Sequence, residues 1–195
     1  MKRICVFAGS APGGLEAFSK HAKELGKLLA DNEMEVVYGG SKNGLMGDVA
    51  NGALAHGGKV TGIMPTLLFQ GEIVHTGLTE LLEVSDMHER KAKMSELADA
   101  YIALPGGYGT FEELFEVLSW SQLGIHKKPI GLLNIENYYT PLIEMIDHAI
   151  ERGFVKPTHK ELVVTADNSE DLINKILTFT RPELDPKWKA DRHLT

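Results

Sequence analysis

The residue types best suited to chemistry gather around the stretch Tyr101–Glu116, YIALPGGYGTFEELFE. A short apolar run breaks at Pro105 into a turn containing Gly106, Gly107 and Gly109, and a helix follows. Glycines there leave main-chain amides uncovered, and a helix start adds a partial positive charge, so the segment suits an anion of phosphate size. Thr110 is the expected N-cap, and with Glu113 it fits a capping box in which each side chain closes the other's backbone amide. The helix dipole contributes only about 0.3–1 kcal/mol to an anion, whereas micromolar binding needs about 8 kcal/mol. Charge-assisted hydrogen bonds of about 1.5–3 kcal/mol each must therefore come from nearby side chains. Arg90, Lys91, Ser10 and Thr110 are the candidates.

Other chemistries fit less well. GSAPGG follows the first strand and Tyr38-Gly39 ends the second, which departs from the G-x-G-x-x-G fingerprint and its acidic partner for NAD. Neither a P-loop nor a G-x-S-x-G elbow is present. His88-Glu89 opens no zinc helix, because Ala92 stands where the second histidine belongs. No metal site is expected, and the chemistry is left to carboxylates, arginine and lysine.

These groups need a scaffold, and the alternation of apolar runs with helical periodicity provides one. Strands are expected at Arg3–Ala8, Val36–Tyr38, Lys59–Met64, Leu81–Val84, Tyr101–Leu104, Pro129–Leu133 and Leu162–Thr165. Between them, Phe18, Ala22, Leu25 and Leu29 mark one helix, and Leu45–His56 a second whose small residues suit close packing on the sheet. Asp86–Ala98 forms a third, and a fourth buries Phe111, Leu114, Phe115 and Leu118. Tyr138–Arg152, ended by Gly153, and Leu172–Phe179 follow. Thr66–Gly77 reads as an irregular excursion. The rhythm predicts an α/β fold with a mostly parallel sheet and helices on both faces. Residues 1–180 are expected to form one domain and 181–195 a loosely packed polar tail. In such folds ligands bind beyond the carboxyl ends of the strands, where the loops Gly9–Gly14, Gly39–Gly44 and Gly106–Gly109 meet.

The 195 residues, 43% hydrophobic and 24% charged, suffice for one real core. A net charge of -7 without a basic block opposes nucleic acid while leaving room for a single nucleotide. Cys5, the only cysteine, lies in an apolar run and reads as a core residue of a cytoplasmic protein. Ile4–Ala8 is too short for a signal-peptide core, and no stretch reaches the length of a membrane span.

Three motifs then carry a resemblance: PGGYGTFEE at Pro105–Glu113, MHERK at Met87–Lys91 and YGGSKNGLMG at Tyr38–Gly47. Together they closely resemble the LONELY GUY family, the cytokinin riboside 5'-monophosphate phosphoribohydrolases, once widely mislabelled as lysine decarboxylases. The resemblance implies a Rossmann-like homodimer, without cofactor, that hydrolyses the N-glycosidic bond of AMP-type nucleotides to free base and ribose 5-phosphate. It implies Arg90 and Glu113 as the catalytic pair, and Gly106, Gly107, Tyr108, Gly109 and Thr110 as the phosphate loop. Lys91, Glu72 and Ser119 fall at further substrate-binding positions, and Ser10 and Gly40 are contributed by the other two loops. Ser41 stands where many relatives carry a third glycine. Breaking a glycosidic bond builds oxocarbenium character on the sugar, which a carboxylate such as Glu113 stabilises or relieves by taking a proton from water. The alternatives are a general AMP nucleosidase and a carrier that binds a nucleotide or phosphorylated cofactor without turnover. Lysine decarboxylation is rejected, since no pyridoxal-phosphate lysine site is recognisable.

Overall fold

Apolar runs closed by glycine or proline become the strands of one sheet in the computed structural model, which describes residues 1–70 and 74–184. The strands are β1 (Arg3–Phe7), β2 (Glu35–Tyr38), β3 (Val60–Pro65), β4 (Glu80–Val84), β5 (Ala100–Ala103), β6 (Ile130–Leu133) and β7 (Val163–Ala166). Their order across the sheet is β4-β3-β2-β1-β5-β6-β7, and every neighbouring pair is parallel. The expected "mostly parallel" sheet is thus wholly parallel among the described residues. Strands β5 and β6 are buried along their whole length, as strands covered on both faces must be.

The helices are α1 (Glu16–Asp31), α2 (Gly44–Leu54), α3 (Met87–Leu97), α4 (Tyr108–Gln122), α5 (Thr140–Glu151), the single turn α6 (Pro157–Lys160) and α7 (Ser169–Leu177). One face of the sheet is covered by Phe18, Ala22, Leu25 and Leu29 of α1, Val49 of α2 and Leu172 of α7. The other carries Met94 of α3 and Leu114 and Val117 of α4. The small residues of α2 have a second use beside the one expected: Ala50 and Ala53 join the core on the sheet, and Gly52 and Val49 lie against Lys23 and Gly26 of α1, a close approach of helix to helix.

Four further expectations need correction. Phe115 is 45% exposed, and the buried row of α4 is Thr110, Leu114, Val117 and Ser121. Tyr138 belongs to a bend after the 3-10 turn Ile135–Asn137, and α5 starts only at Thr140. The excursion after β3 opens as a 3-10 turn, Thr66–Gln70. The start of the expected tail is tied down, because Arg181 donates from Nη1 to His126 O (2.8 Å) and from Nη2 to Ser121 O (2.6 Å). Residues 185–195 of that tail lie outside the described residues.

Candidate active site

The chain builds outward from β1 through β2, β3 and β4, then returns to the other side of β1 with β5. At that reversal the helices that follow β1 and β5 go to opposite faces of the sheet, and a crevice opens between them at its carboxyl edge. The two loops touch: Gly9 N donates to Pro105 O at 3.0 Å. Met46 N, in the first turn of α2, donates to Gly9 O at 3.2 Å, drawing the loop after β2 to the same edge. The resulting cleft holds about 230 Å³ and is lined by Ser10, Gly39, Arg90, Glu113, the segment Gly107–Thr110 and apolar Val6, Ala8, Met46 and Met94.

Helix α4 starts three residues earlier than expected. Gly107 is its N-cap and Phe111 N donates to Gly107 O (3.0 Å), so Thr110 lies within the first turn and is buried. No side chain caps this end, and the capping box of Thr110 with Glu113 does not form. The amides of Tyr108, Gly109 and Thr110 precede the first carbonyl they could bond within the helix and are left for a ligand. Gly106 is required here by a close approach, since a Cβ at that position would run into Thr110 Oγ1. Tyr138 holds the same turn by donating its hydroxyl to Gly106 O. Tyr108 is 92% exposed at the rim of the cleft.

Arg90 enters from α3, whose start is fixed by Asp86: the Asp86 carboxylate accepts from Glu89 N at 2.9 Å. That hydrogen bond pulls the Asp86 carboxyl below its usual range. The Arg90 side chain reaches the carboxyl ends of β2 and β3, where Nε donates to Ile63 O (3.1 Å) and Nη2 to Gly39 O (3.0 Å). Nη1 lies 3.7 Å from Met87 Sδ. The residue is only 7% exposed, and among the described residues no carboxylate stands within ion-pairing distance of it. A buried cation satisfied by carbonyl dipoles alone leaves its charge available to an anion. Gly39 makes the seat possible, because a Cβ there would collide with Arg90 Nη2. This glycine was legible only as part of the YGG signal, within which Gly40 was the expected ligand position.

Glu113 faces Arg90 from one turn inside α4. Burial lifts its carboxyl to about 7; Arg90 and Lys91 pull it down, and Glu112 and Glu116 push it further up. A carboxyl poised near neutrality serves as an acid or a base at physiological pH.

The structure therefore brings together Ser10, Arg90, Gly107, Tyr108, Gly109, Thr110 and Glu113. It does not bring all the expected residues into the cleft lining. Lys91 points to the flank of α4 and pairs with Glu112 and Glu116. Ser119 is on the wall of a separate groove with Phe115, Leu118 and Ile146. Gly40 is outside the cleft lining, and its carbonyl accepts from His75 N at 3.0 Å. Ser41 has no positive φ to demand glycine, and its Oγ accepts from Asn43 N at 3.2 Å. Glu72 lies outside the described residues.

A wholly parallel sheet with an anion-ready helix start at its switch point, beside a buried cation and a neutral-range carboxyl, makes a cleft suited to a phosphorylated ligand on a Rossmann-like fold. The sequence matches the profile of a family described as "Possible lysine decarboxylase" over residues 46–176. It is 46% identical over 185 residues to cytokinin riboside 5'-monophosphate phosphoribohydrolase LOG7 of Arabidopsis thaliana, covering 94% of this chain and 84% of that protein. To LOG5 of the same plant, which bears the same enzyme name, it is 47% identical over 178 residues, covering 91% of this chain and 78% of that protein. The chain belongs to this LONELY GUY family. Among solved structures, the molybdenum cofactor carrier protein of Chlamydomonas reinhardtii superposes with a TM-score of 0.68 at 21% identity, covering 91% of this chain and 99% of that one, a likeness of fold.

Proposed function

We propose that the protein hydrolyses the N-glycosidic bond of N6-substituted adenosine 5'-monophosphates, releasing the free base and ribose 5-phosphate. The observation that carries this reading is the facing of a buried, carboxylate-free Arg90 and a Glu113 carboxyl raised to about 7 across one cleft. Relatives at 46–47% identity, named for this reaction, support it.

In this reading the nucleotide phosphate takes the free amides of Tyr108, Gly109 and Thr110, with the Ser10 hydroxyl opposite. Phosphate there places the sugar over Glu113, one helical turn on. The C1'–N bond breaks with its electron pair going to the base, which takes up a proton, and positive charge grows on the ribose ring. Ionised Glu113 stabilises that charge and accepts a proton from the water whose oxygen bonds to C1'. Arg90, anchored by two carbonyls, keeps its remaining N–H groups for the ribose or phosphate and favours ionised Glu113. Glu72, Ser119 and Gly40 remain substrate positions implied by the family likeness alone; Lys91, implied as another, is outside the cleft lining and paired with Glu112 and Glu116.

A homodimer and a cytoplasmic setting complete the proposal. The apolar side of α5 supports the dimer: no residue of that helix is buried, and Met145 and the following Phe154 are 61% and 87% exposed. Among the described residues no helix is long and apolar enough to cross a membrane.

The test is incubation of the pure protein with N6-isopentenyl-AMP, its riboside and AMP, with chromatography of the products. Base released from the first in clear preference is expected. Equal rates on AMP would favour a general nucleosidase, and binding without any released base would favour a carrier.

A further inference from the structure

Arg90 and Glu113 reach the cleft from two different helices, so their separation depends on what holds α3 against α4. Lys91 does this. Its side chain is 13% exposed and runs to α4, where Nζ lies 2.5 Å from Glu112 Oε1 and 2.9 Å from Glu116 Oε1. Among the described residues, the hydrogen bonds and ion pairs that join α3 to α4 all pass through this ammonium. Glu112 and Glu116 stand one position before and three positions after Glu113, so the two anchored carboxylates bracket the one that faces the cleft. Behind Glu113 is a pocket of about 10 Å³, room for about one water, lined by Lys91, Ser95, Tyr101 and Glu116. Glu113 lines both that pocket and the cleft, whereas Lys91 lines the pocket alone.

We propose that Lys91 is a positioning residue that acts on Glu113 through Glu112 and Glu116, clamping α4 against α3 and offsetting the two like charges, without touching the substrate. Its kinetic consequences rest on the hydrolase reading above. The groups that face Glu113 are Arg90 and Lys91 from α3, Glu112 and Glu116 from α4, and neutral Cys5 and Tyr101 from the sheet. With Lys91 present, two cations balance two anions; without it, two anions face one cation, and the proton on Glu113 is held more tightly. The ammonium itself is strengthened in its charge by the hydrogen bond to Glu112 first, against the opposing effect of burial.

The experiment compares the wild type with Lys91→Met, Lys91→Arg and the triple variant Lys91→Met/Glu112→Gln/Glu116→Gln. Carbon-13 NMR titration of the Glu113 carboxyl in the free protein is one readout, and it needs no turnover. The pH profiles of kcat and KM on N6-isopentenyl-AMP are the other. Lys91→Met is expected to raise the Glu113 midpoint by about 0.5 to 1 pH unit. At pH 7 it should lower kcat by about tenfold while KM stays within about threefold. The triple variant, which removes both carboxylates, should bring the midpoint back towards wild type, and Lys91→Arg should restore it. An unmoved midpoint in Lys91→Met would overturn the proposal. So would a rise in KM of about tenfold with kcat and midpoint unchanged, the mark of a residue that binds substrate. If the wild type releases no base from any nucleotide, the hydrolase reading falls while the NMR titration still decides the clamp.

Discussion

At the scale of single residues, Glu113 couples function to stability through its proton. Its carboxyl is raised from an ordinary 4.5 to about 7 by burial, so the folded protein keeps a proton that the unfolded chain has already lost in that window. The native state then binds more protons than the unfolded one, and stability must fall as pH rises from about 4.5 to 7. Glu113→Gln removes this loss. Thermal unfolding should place the variant above the wild type by about 5 °C at pH 8, with the gap closing towards pH 5. Parallel pH curves for the two proteins would show that the carboxyl is not held out of its normal range. Because Gly107, and not Thr110, caps α4, the substitution disturbs no helix cap, and the stability and activity readouts stay separable.

At the scale of elements, the loop after β2 and the start of α3 exist to present Arg90. Gly39→Ala should displace the guanidinium from its carbonyl seat and cost about 10- to 100-fold in kcat/KM, the equivalent of one or more charge-assisted hydrogen bonds. Steady-state kinetics checks this, and kinetics near wild type would mean that Arg90 is not needed where it lies. Asp86→Ala removes the α3 cap and should cost about 1 kcal/mol of stability, read by denaturant melts, with a smaller effect on rate. The rows that pack on the sheet were legible from periodicity: Phe18, Ala22, Leu25 and Leu29 of α1 are all buried. The contact of Gly39 with Arg90 was not, because it joins residues 51 positions apart through a side chain reaching across two strands. The capping box misled for a local reason: S/T-x-x-E spacing is satisfied at Thr110, yet the chain already turns helical at Tyr108.

At the scale of the whole molecule, the parallel sheet was readable from the alternation of strands and helices, whereas the strand order that puts the switch point between β1 and β5 was not, because alternation does not say on which side of β1 each later strand adds. Partners leave a fainter trace. The fourth helix was expected to bury Phe115, but that side chain is 45% exposed on the wall of the groove that also contains Ser119 and Ile146. A periodic apolar face looks the same in sequence whether its own sheet or a second copy covers it. The proposed dimer is checked by sedimentation: Met145→Glu with Phe154→Asp should shift a wild-type dimer to monomer, since charges at an apolar contact oppose its burial. A wild-type monomer would contradict the proposed dimer.

The chemistry assigned to the cleft is tested most directly by one comparison: release of free base from N6-isopentenyl-AMP and from its unphosphorylated riboside by the wild type and by Glu113→Gln. Base and ribose 5-phosphate are expected from the monophosphate, far less from the riboside, with a loss of about 10²- to 10⁴-fold in Glu113→Gln and the fold intact. Equal release from the riboside, or undiminished release by Glu113→Gln, would contradict it.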